Sequence, residues 1–433
     1  MIWTILLIIF FSAYAYLAWR NLLWATAALL ALLPAYLIRF SLGPMPMTAL
    51  EAMILIIFSV WIIKLKIKKE KFNLPIKILE RKKWFWLIFA WLSFAIISLM
   101  ISPDLRAAAG IFKAYFFEPI LFLLIFLSIV KTKKDLEIIF YALGFSALYI
   151  SAFAIYQKFT GVFIPNPIWQ AAETRRVTSF YGFPNAIGLY LAPIVVLCAG
   201  LFFEKILNIK YKLLNAQKIL EMVYFLFVII ISVLAIVFAR SEGAYVGILA
   251  GLFFLGLMTK KLRWPTVAAA IVFVTVIALV PQFRHYAVEQ ITFQNDSGKV
   301  RQIMWHETWQ MLHDRLFSGA GLAGYQETFA PYHKAKYIEI YLYPHNLFLN
   351  FWSELGLGGL IVFLLMIIKF FKDNIKKFFT PNPVLFVTLS AAMITILVHG
   401  LVDVPYFKND LSILFWLIVG LSLLEPKKMP KKA

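Results

Sequence analysis

The stretch MVYFLFVIIISVLAIVFA, residues 222–239, holds no charged side chain in eighteen positions. About 20 apolar residues in an α-helix are enough to cross the hydrocarbon core of a bilayer. A second apolar stretch, GAYVGILAGLFFLGLMT at residues 243–259, begins after only three intervening residues. Two such stretches in succession predict a pair of membrane-spanning helices joined by a very short turn.

Similar apolar runs recur along the whole chain of 433 residues. The composition agrees, because 62% of the residues are apolar and 15% are charged, against roughly 45–50% and 25% in soluble domains. We therefore predict an all-α, polytopic integral membrane protein of about 12–13 transmembrane helices, folded as a single transmembrane domain over residues 1–433. The predicted spans cover residues 2–18, 22–39, 47–64, 84–102, 111–130, 136–156, 184–203, 222–239, 243–259, 264–281, 346–368, 383–402 and 411–424.

The first run, residues 2–18, decides between 12 and 13 spans, according to whether it crosses fully. It lacks both a basic segment before it and a small-residue cleavage site after it, and a second apolar run follows at once. We expect a retained helix rather than a cleaved signal peptide.

Basic residues gather in every second connection from the third span onward. Such clusters are typical of cytoplasmic loops, so the remaining connections are predicted to face outward. The formal net charge of +20 then follows from membrane topology, and we expect no nucleic-acid partner. The basic clusters lie at Lys64–Lys83, Lys131–Lys134, Lys205–Lys218, Lys260–Arg263 and Lys369–Lys377, and in the tail at Lys427–Lys432.

Cysteine and histidine spacing gives no sign of a metal site. The single cysteine, Cys198, lies within an apolar run, and no Cys/His cluster has the spacing of metal ligands. We therefore expect no disulfide, no metal and no cofactor.

Two of the outward connections are long. Residues 282–344 form a predicted extracytoplasmic loop between two spans, and a second connection of about 27 residues joins the sixth and seventh spans. Connections of this length in a compact fold are usually functional. Within the longer loop, Val300, Ile303 and Met311 recur near helical spacing in the stretch Lys299–Leu316. This stretch is predicted to be an amphipathic helix on or near the outer surface.

Several basic side chains fall on the outward side or at its membrane boundary. Arg240 stands in the stretch ARSEG, residues 239–243, between two apolar runs with almost no loop. An arginine there is costly unless it reaches the interface, pairs with Glu242 or binds an anion. The basic residues that this topology brings to one face are Arg175, Arg176, Arg240, Arg301 and His345.

His345 lies in the stretch YPHN, residues 343–346, where the long loop re-enters the membrane. Pro344 favours a fixed bend just before a helix starts. A histidine at such a boundary is a candidate to accept a proton from a hydroxyl. The alternative is a histidine that begins a helix and bonds only to backbone. Loop solvation is expected to explain most of the other histidines, which are His285, His306, His313, His333 and His399.

Two carboxylates, Glu118 and Glu354, fall within predicted spans, where buried acids are functional candidates. Glu354 follows His345 by nine residues, or about 13 Å in a straight helix, so the two are not expected to touch. Pairing with an arginine or capping a broken helix is the alternative to a catalytic role. For Asp403, which precedes Pro405 by two positions, we expect a turn-forming role.

Four segments, in this order, resemble the O-antigen ligase and O-antigen polymerase family of membrane proteins. Together they span about half of the chain, and the long loop before the His-Asn pair adds to their specificity. One departure is that the family's usual Ser-Arg-Gly reads ARSEG here, and Arg175 adjoins Arg176. The segments are Arg176 to Asn185, Ala239 to Ala244, Gly298 to Gly321 with Arg301 and Trp305, and Pro344-His345-Asn346 followed by Glu354-Leu355-Gly356.

This resemblance implies a membrane glycosyltransferase that works without metal on the outer side of the inner (plasma) membrane. The donor would be a glycan linked to undecaprenyl diphosphate, and the acceptor a hydroxyl of a lipid or a glycan. By resemblance, His345 is the general base, and Arg176, Arg240 and Arg301 bind the diphosphate. A guanidinium is suited to this task because its planar fork matches phosphate oxygens. Secondary candidates are Arg175, Glu118, Glu354 and Asn346.

Other functions remain open at the level of sequence. A ligase and a polymerase share the carrier chemistry and differ only in the acceptor. A transporter or flippase of lipid-linked sugars would hold its charged residues near the bilayer midplane, whereas here they gather at the outer boundary. A membrane scaffold would tolerate replacement of the arginines. A metal-dependent sugar transferase would need an acidic pair in an early outward loop, which Asp104 alone does not supply.

Overall fold

The computed structural model describes residues 2–43, 45–67, 82–207, 216–378 and 383–424, and its architecture is all-α apart from one small hairpin. The basic clusters predicted at 64–83 and 205–218 lie partly outside the described residues, and the basic tail at 427–432 lies wholly outside them. The helices, in chain order, are α1 (Ile2–Arg20), α2 (Leu22–Ala31), α3 (Ala49–Ile67), α4 (Lys82–Met100), α5 (Leu105–Ile111), α6 (Glu118–Ile129), α7 (Lys133–Thr160), α8 (Pro167–Gln170), α9 (Asn185–Leu207), α10 (Ala216–Ala239), α11 (Glu242–Met258), α12 (Arg263–Leu279), α13 (Pro281–Ile291), α14 (Asp296–Asp314), α15 (Tyr325–Phe329), α16 (Leu347–Ile375), α17 (Val384–His399) and α18 (Asn409–Leu423).

Within the described residues, seven helices are long and apolar enough to cross a membrane by themselves. They are α1, α4, the continuous helix Leu105–Ile129, α7, α9, α10 and α16. Shorter apolar helices, α2, α11, α17 and α18, coincide with further predicted spans. An eighth candidate is a bent pair in which Arg263–Leu279 and Pro281–Asp314 meet at 98°. The predicted class, an all-α polytopic membrane protein, is confirmed.

The apolar run at residues 22–39 is predicted to be one span, and this prediction is wrong in length. Asn21 separates α1 from α2, because its side-chain oxygen accepts hydrogen bonds from two backbone N–H groups in the first turn of α2. The ten residues of α2 extend about 15 Å, which is half of the roughly 30 Å hydrocarbon core. A 3₁₀ turn, Leu33–Leu37, follows. The chain then forms the antiparallel strands β1 (Arg39–Leu42) and β2 (Met45–Thr48).

The amphipathic helix predicted over residues 299–316 is present as α14. Met304, Met311 and Leu312 on one face are buried, whereas Gln302 and His306 are exposed. Asn295 caps this helix, since its side-chain oxygen accepts the N–H of Gly298 at 2.7 Å.

The chain divides into two compact units. The first unit comprises the described parts of Met1–Trp86, Lys113–Ala244 and Tyr406–Ala433, and the second comprises the described parts of Leu87–Phe112 and Tyr245–Pro405. In the first unit, α10 packs along α7 and α9. The approach of α9 to the α10–α11 turn depends on Gly188, because a Cβ there would lie 2.2 Å from Oγ of Ser241. A glycine at this position therefore fixes the turn that carries Arg240.

In the second unit, α16 is broken in its first half. Gly356 has a left-handed φ of +70° and a ψ of 177°, which interrupts the helical hydrogen bonds. The freed carbonyl of Ser353 accepts the N–H of Ala320 at 2.7 Å, and the carbonyl of Glu354 accepts the hydroxyl of Ser98. The break thus receives the segment that follows α14, and buried Met311, Leu312, Tyr325, Phe329 and Trp352 pack around it.

Candidate functional site

His345 stands immediately before α16 and is fixed from both sides. Its backbone has a φ of +48°, a left-handed conformation that is uncommon for a residue other than glycine. Asn346 caps α16, since its side-chain oxygen accepts the N–H groups of Phe348 and Leu349 at 3.0 Å each. The N–H of Leu347 donates to the carbonyl of Gly400 at 2.7 Å. Strained backbone of this kind occurs often at functional sites and needs such surrounding support.

The imidazole of His345 is paired with a buried carboxylate. Nδ1 of His345 lies 3.4 Å from Oδ1 of Asp403, which also accepts the N–H of Val404 at 2.9 Å. The Asp403 side chain is 2% exposed, and that of His345 is 20% exposed. An Nδ1–H that donates to the carboxylate leaves Nε2 as the proton-accepting nitrogen.

The charge of Asp403 is held by its surroundings. Burial alone would raise its pKa, but the hydrogen bond from His345 and the nearby charges of His345, His399 and Arg301 hold the pKa of this carboxyl well below its usual range. Asp403 therefore carries a negative charge beside the imidazole at neutral pH. Such a charge orients the ring and stabilises its protonated form.

Arg301, in the first turns of α14, lies beside the same segment. Its Nε donates to the carbonyl of Val402 at 2.9 Å, and its Nη1 donates to Oγ of Ser297 at 2.6 Å. The indole N–H of Trp305, one turn later, donates to the carbonyl of Pro344 at 2.8 Å. These bonds tie α14 to both segments that carry the His345–Asp403 pair. The second unit thus brings together a base, its carboxylate partner and an arginine.

Arg176 and Arg240 meet in the first unit. Nε of Arg176 donates to the carbonyl of Ala239 at 3.0 Å, and Nη2 donates to the carbonyl of Arg240 at 3.3 Å and to Oδ1 of Asn185 at 3.1 Å. Arg176 thereby binds carbonyls at the end of α10, where helices leave acceptors unsatisfied. Arg240 itself has a left-handed φ of +51°. Its side chain is exposed and forms no ion pair within the described parts of the chain, so pairing with Glu242 is not observed.

Arg175 has a different environment from its neighbour Arg176. Its Nε donates to the carbonyl of Gln170 and its Nη1 to that of Lys158, both at 3.0 Å. The guanidinium lies against Gly161, the left-handed residue that ends α7, and a Cβ there would lie 2.7 Å from Nη2. Arg175 thus closes the carboxyl end of a helix, as basic residues often do.

Glu354 and Glu118, the two acids within predicted spans, have surroundings different from those of the His345–Asp403 pair. Oε2 of Glu354 accepts the N–H of Ala323 at 2.9 Å, so this side chain fastens the loop after α14 to the broken helix. Glu118, at the start of α6, is 1% exposed, and neither of its oxygens has a hydrogen-bond partner in the portion that the structure covers. The nearby Glu51 instead pairs with Lys113 at 3.1 Å.

Loop solvation explains most of the other histidines, as expected, because His285, His306 and His313 are exposed. The exceptions are His333 and His399, which are 4% and 2% exposed. Sequence reasoning missed one contact of Asp403, whose carboxylate faces His345 and does not serve only a turn. The sequence signal that could have pointed to Asp403 is its position four residues after His399, at the outward end of a predicted span. Among the residues described, no group of three or more His, Cys, Asp or Glu side chains is arranged to hold a metal ion.

Comparison with known proteins agrees with the motifs. Residues 227–364 match the family model described as O-antigen ligase. The match covers about a third of the chain, includes Arg240, Arg301 and His345, and supports an O-antigen ligase/polymerase-type membrane glycosyltransferase. The resemblance found in the sequence is confirmed over these residues, and the segment Arg176 to Asn185 lies outside them. No curated protein matches the chain.

Proposed function

We propose that this protein is a metal-independent, O-antigen ligase-like glycosyltransferase of the inner (plasma) membrane. It would transfer a glycan from an undecaprenyl-diphosphate carrier to an acceptor hydroxyl on the extracytoplasmic side. The observation that carries this proposal is the His345–Asp403 pair, in which a partly exposed imidazole is backed by a buried carboxylate at 3.4 Å. The match to the O-antigen ligase family supports the substrate class.

The acceptor hydroxyl is the nucleophile in this mechanism. Nε2 of His345 takes the proton of the hydroxyl while its oxygen forms a bond to the anomeric carbon of the donor glycan. The bond between that carbon and the phosphate oxygen breaks, and its electron pair remains on the carrier diphosphate. Asp403 stabilises the imidazolium that forms, as a buried carboxylate does in other acid–base pairs. A single displacement of this kind inverts the configuration at the anomeric carbon.

The arginines act on the leaving group. Arg176, Arg240 and Arg301 would bind oxygens of the diphosphate and stabilise the charge that it gains. Arg240 is suited to this role because its guanidinium is exposed and forms no ion pair with the described residues. Nη2 of Arg301 likewise has no hydrogen-bond partner among them, since its other nitrogens make the bonds to Val402 and Ser297.

Purified protein in detergent provides the test. The wild type is supplied with a carrier-diphosphate-linked glycan and a hydroxyl acceptor, and product is separated by mass. We expect His345→Ala to lower the rate by about 10²–10⁴-fold, the usual contribution of a general base. His285→Ala, which removes an exposed histidine of α13, is the matched control and should retain the rate.

Three outcomes would contradict the proposal. Full activity of His345→Ala would show that His345 is not the general base. Loss of wild-type activity on adding a chelator would indicate a metal-dependent transferase. Movement of the carrier across vesicles without a new glycosidic product indicates a flippase. The polymerase alternative uses the same chemistry with a second carrier-linked glycan as acceptor. Supplying lipid acceptor and carrier-linked acceptor in separate reactions distinguishes it from the ligase.

A further inference from the structure

Two tyrosine rings contact the imidazole of His345 and have no role in the transfer mechanism described so far. The ring of Tyr341 meets the imidazole at 75° with centroids 5.2 Å apart, and the ring of Tyr343 meets it at 71° with centroids 5.0 Å apart. Aromatic rings prefer such edge-to-face arrangements, with centroids roughly 4.5–7 Å apart. All three side chains are partly buried. We call Tyr341 and Tyr343 the tyrosine pair.

The contact with Asp403 is too long to orient the imidazole by itself. Nδ1 of His345 lies 3.4 Å from Oδ1 of Asp403, whereas charge-assisted N–H···O bonds are usually about 2.7–2.9 Å long. The torsion that turns a histidine ring about its bond to Cβ also has broad minima, so it adds little restraint. A ring that turned would carry Nε2 away from the acceptor hydroxyl. Other contacts must therefore restrict the orientation of this imidazole.

The tyrosine pair stands on a segment that is anchored at both ends. Nε2 of Gln326 donates to the carbonyl of Ile340 at 2.8 Å, one residue before the pair. The indole N–H of Trp305 donates to the carbonyl of Pro344 at 2.8 Å, one residue after it. The segment at residues 341–344 forms neither helix nor strand. These side-chain bonds, rather than secondary structure, therefore hold the two rings against His345.

Tyr341 contacts His345 through its ring, and its hydroxyl has no hydrogen-bond partner among the residues that the structure describes. Burial and the charge of Glu339 raise the pKa of Tyr341, whereas the charge of Arg301 acts in the opposite direction. Tyr341 therefore lies near Arg301 as well as His345, within the proposed site. Phenylalanine, which lacks only the hydroxyl, would keep the ring contact.

Resting on the proposed function, we propose that the tyrosine pair positions the general base. The two rings restrict rotation of the imidazole, so that Nδ1 keeps facing Asp403 and Nε2 keeps facing the acceptor hydroxyl. Orientation of this kind affects the rate strongly, because a misplacement of about 1 Å costs as much as 10²-fold. Tyr341 and Tyr343 act through His345, and the proton transfer itself is unchanged.

Steady-state kinetics in detergent provides the first test. Tyr341→Leu removes the ring and keeps an apolar side chain, and Tyr341→Phe removes only the hydroxyl. We expect Tyr341→Leu to lower kcat about tenfold, equal to ~1.4 kcal/mol, which is the size of one aromatic contact. KM for the donor should stay the same, and Tyr341→Phe should retain the wild-type kcat. Tyr337→Leu is the control, since Tyr337 lies in the same loop and is 82% exposed.

A spectroscopic measurement separates this inference from the proposed function. The protein is labelled with ring-¹⁵N histidine and recorded at about pH 8, where histidine is ordinarily neutral. The signals of His345 are those that disappear in His345→Ala. Because the ¹⁵N shift reports which nitrogen carries the proton, a fixed imidazole gives one protonated Nδ1 and one unprotonated Nε2. We expect Tyr341→Leu to move both shifts toward their average, and Tyr341→Phe to keep the wild-type spectrum.

The outcomes distinguish the two claims. The expected change of the His345 signals supports the positioning role even if no transfer is found, a result that would instead contradict the proposed function. Unchanged signals and unchanged kcat in Tyr341→Leu overturn the inference. An equal loss in Tyr341→Phe and Tyr341→Leu also overturns it, because the hydroxyl would then be responsible. So does a rise in KM alone, which would make Tyr341 a substrate-binding residue. Tyr343→Leu and Tyr343→Phe repeat the comparison if Tyr341→Leu does not fold.

Discussion

Nδ1 of His345 lies 3.4 Å from Oδ1 of Asp403, although 58 residues separate the two in the chain. The contact depends on two independent anchors in the second unit. Leu347 donates its N–H to Gly400 at 2.7 Å, and Nδ2 of Asn346 donates to Leu401 at 2.9 Å. The start of α16 is thus bound to the segment after α17, and this brings the imidazole to the carboxylate.

Asp403→Asn is expected to lower kcat by about 10²–10⁴-fold while leaving KM for the donor nearly unchanged. The amide keeps the shape of the side chain but no longer stabilises an imidazolium. Steady-state kinetics with purified protein measures both constants. An equal loss of folded protein would point to a structural role, so the melting temperature is recorded in the same detergent.

The same variant has a defined effect of pH on stability. Because the folded-state pKa of Asp403 is lowered, its charge stabilises the fold above the unfolded value of about 3.9 and loses that effect as pH falls below it. The stability that Asp403 contributes through its own charge should therefore be present at pH 5 and decline as the pH falls below about 4. A stability difference between wild type and Asp403→Asn that does not decline between about pH 5 and pH 3 would contradict the lowered pKa.

Arg240→Ala is expected to reduce transfer by about 10²–10³-fold, as removal of a single donor to a developing oxyanion does. Arg240→Lys should restore only part of the rate, because lysine keeps the charge but lacks the planar fork. Arg284→Ala, at an exposed arginine of α13, serves as the control. If Arg240→Ala is as active as the control, Arg240 does not bind the diphosphate. Its role would then be the other one that the sequence permits, which is to reach the membrane interface.

Sequence reasoning was most effective where composition alone decides the structure. Long uncharged runs such as residues 222–239 predict helices, because a backbone in lipid must satisfy its own hydrogen bonds. The same logic failed at residues 22–39, where α2 ends at Ala31 and a 3₁₀ turn with Pro34 in its first turn follows, within an apolar run that hydropathy treats as uniform.

The site was predicted less completely, for a physical reason. His345 stood out because it follows Pro344 at the end of a long loop. Asp403 did not, because its role depends on a contact with a residue 58 positions away, and no local pattern encodes that contact. The same limit applies to Arg175 and Arg176. They are adjacent in sequence, but one binds the end of α7 and the other the end of α10.

Gly356→Ala should destabilise the protein strongly, by more than about 2 kcal/mol. With a φ of +70° and a ψ of 177°, Gly356 occupies a backbone region that is essentially restricted to glycine and costs another residue of order 1–3 kcal/mol, and a Cβ would also lie 1.9 Å from the carbonyl oxygen of Phe317. Thermal unfolding in detergent measures the effect. Gly110→Ala in α5 is the matched control, since its Cβ would meet nothing within 4 Å and alanine favours the helix. Equal melting temperatures for the two variants would contradict the proposed break in α16.

Glu118→Gln is expected to leave both the melting temperature and the transfer rate close to wild type. Glutamine keeps the shape of a carboxyl that has no hydrogen-bond partner in the part of the chain that the structure describes. Glu51→Gln should be the more destabilising change, because Glu51 accepts from Lys113 at 3.1 Å and from the N–H of Thr48 at 2.8 Å. A large loss of transfer in a folded Glu118→Gln protein would instead make Glu118 a functional acid.

Single cysteines test which side of the membrane carries the His345–Asp403 pair. Tyr337→Cys lies in the loop at residues 282–344, and Lys260→Cys lies in a basic connection; both positions are exposed. Cys198 is buried, so its background reaction with an impermeant thiol reagent should be small. The positive-inside rule predicts labelling of Tyr337→Cys in intact cells and of Lys260→Cys only after permeabilisation. The opposite pattern would place the loop that precedes His345 in the cytoplasm, where an extracytoplasmic transfer reaction could not occur.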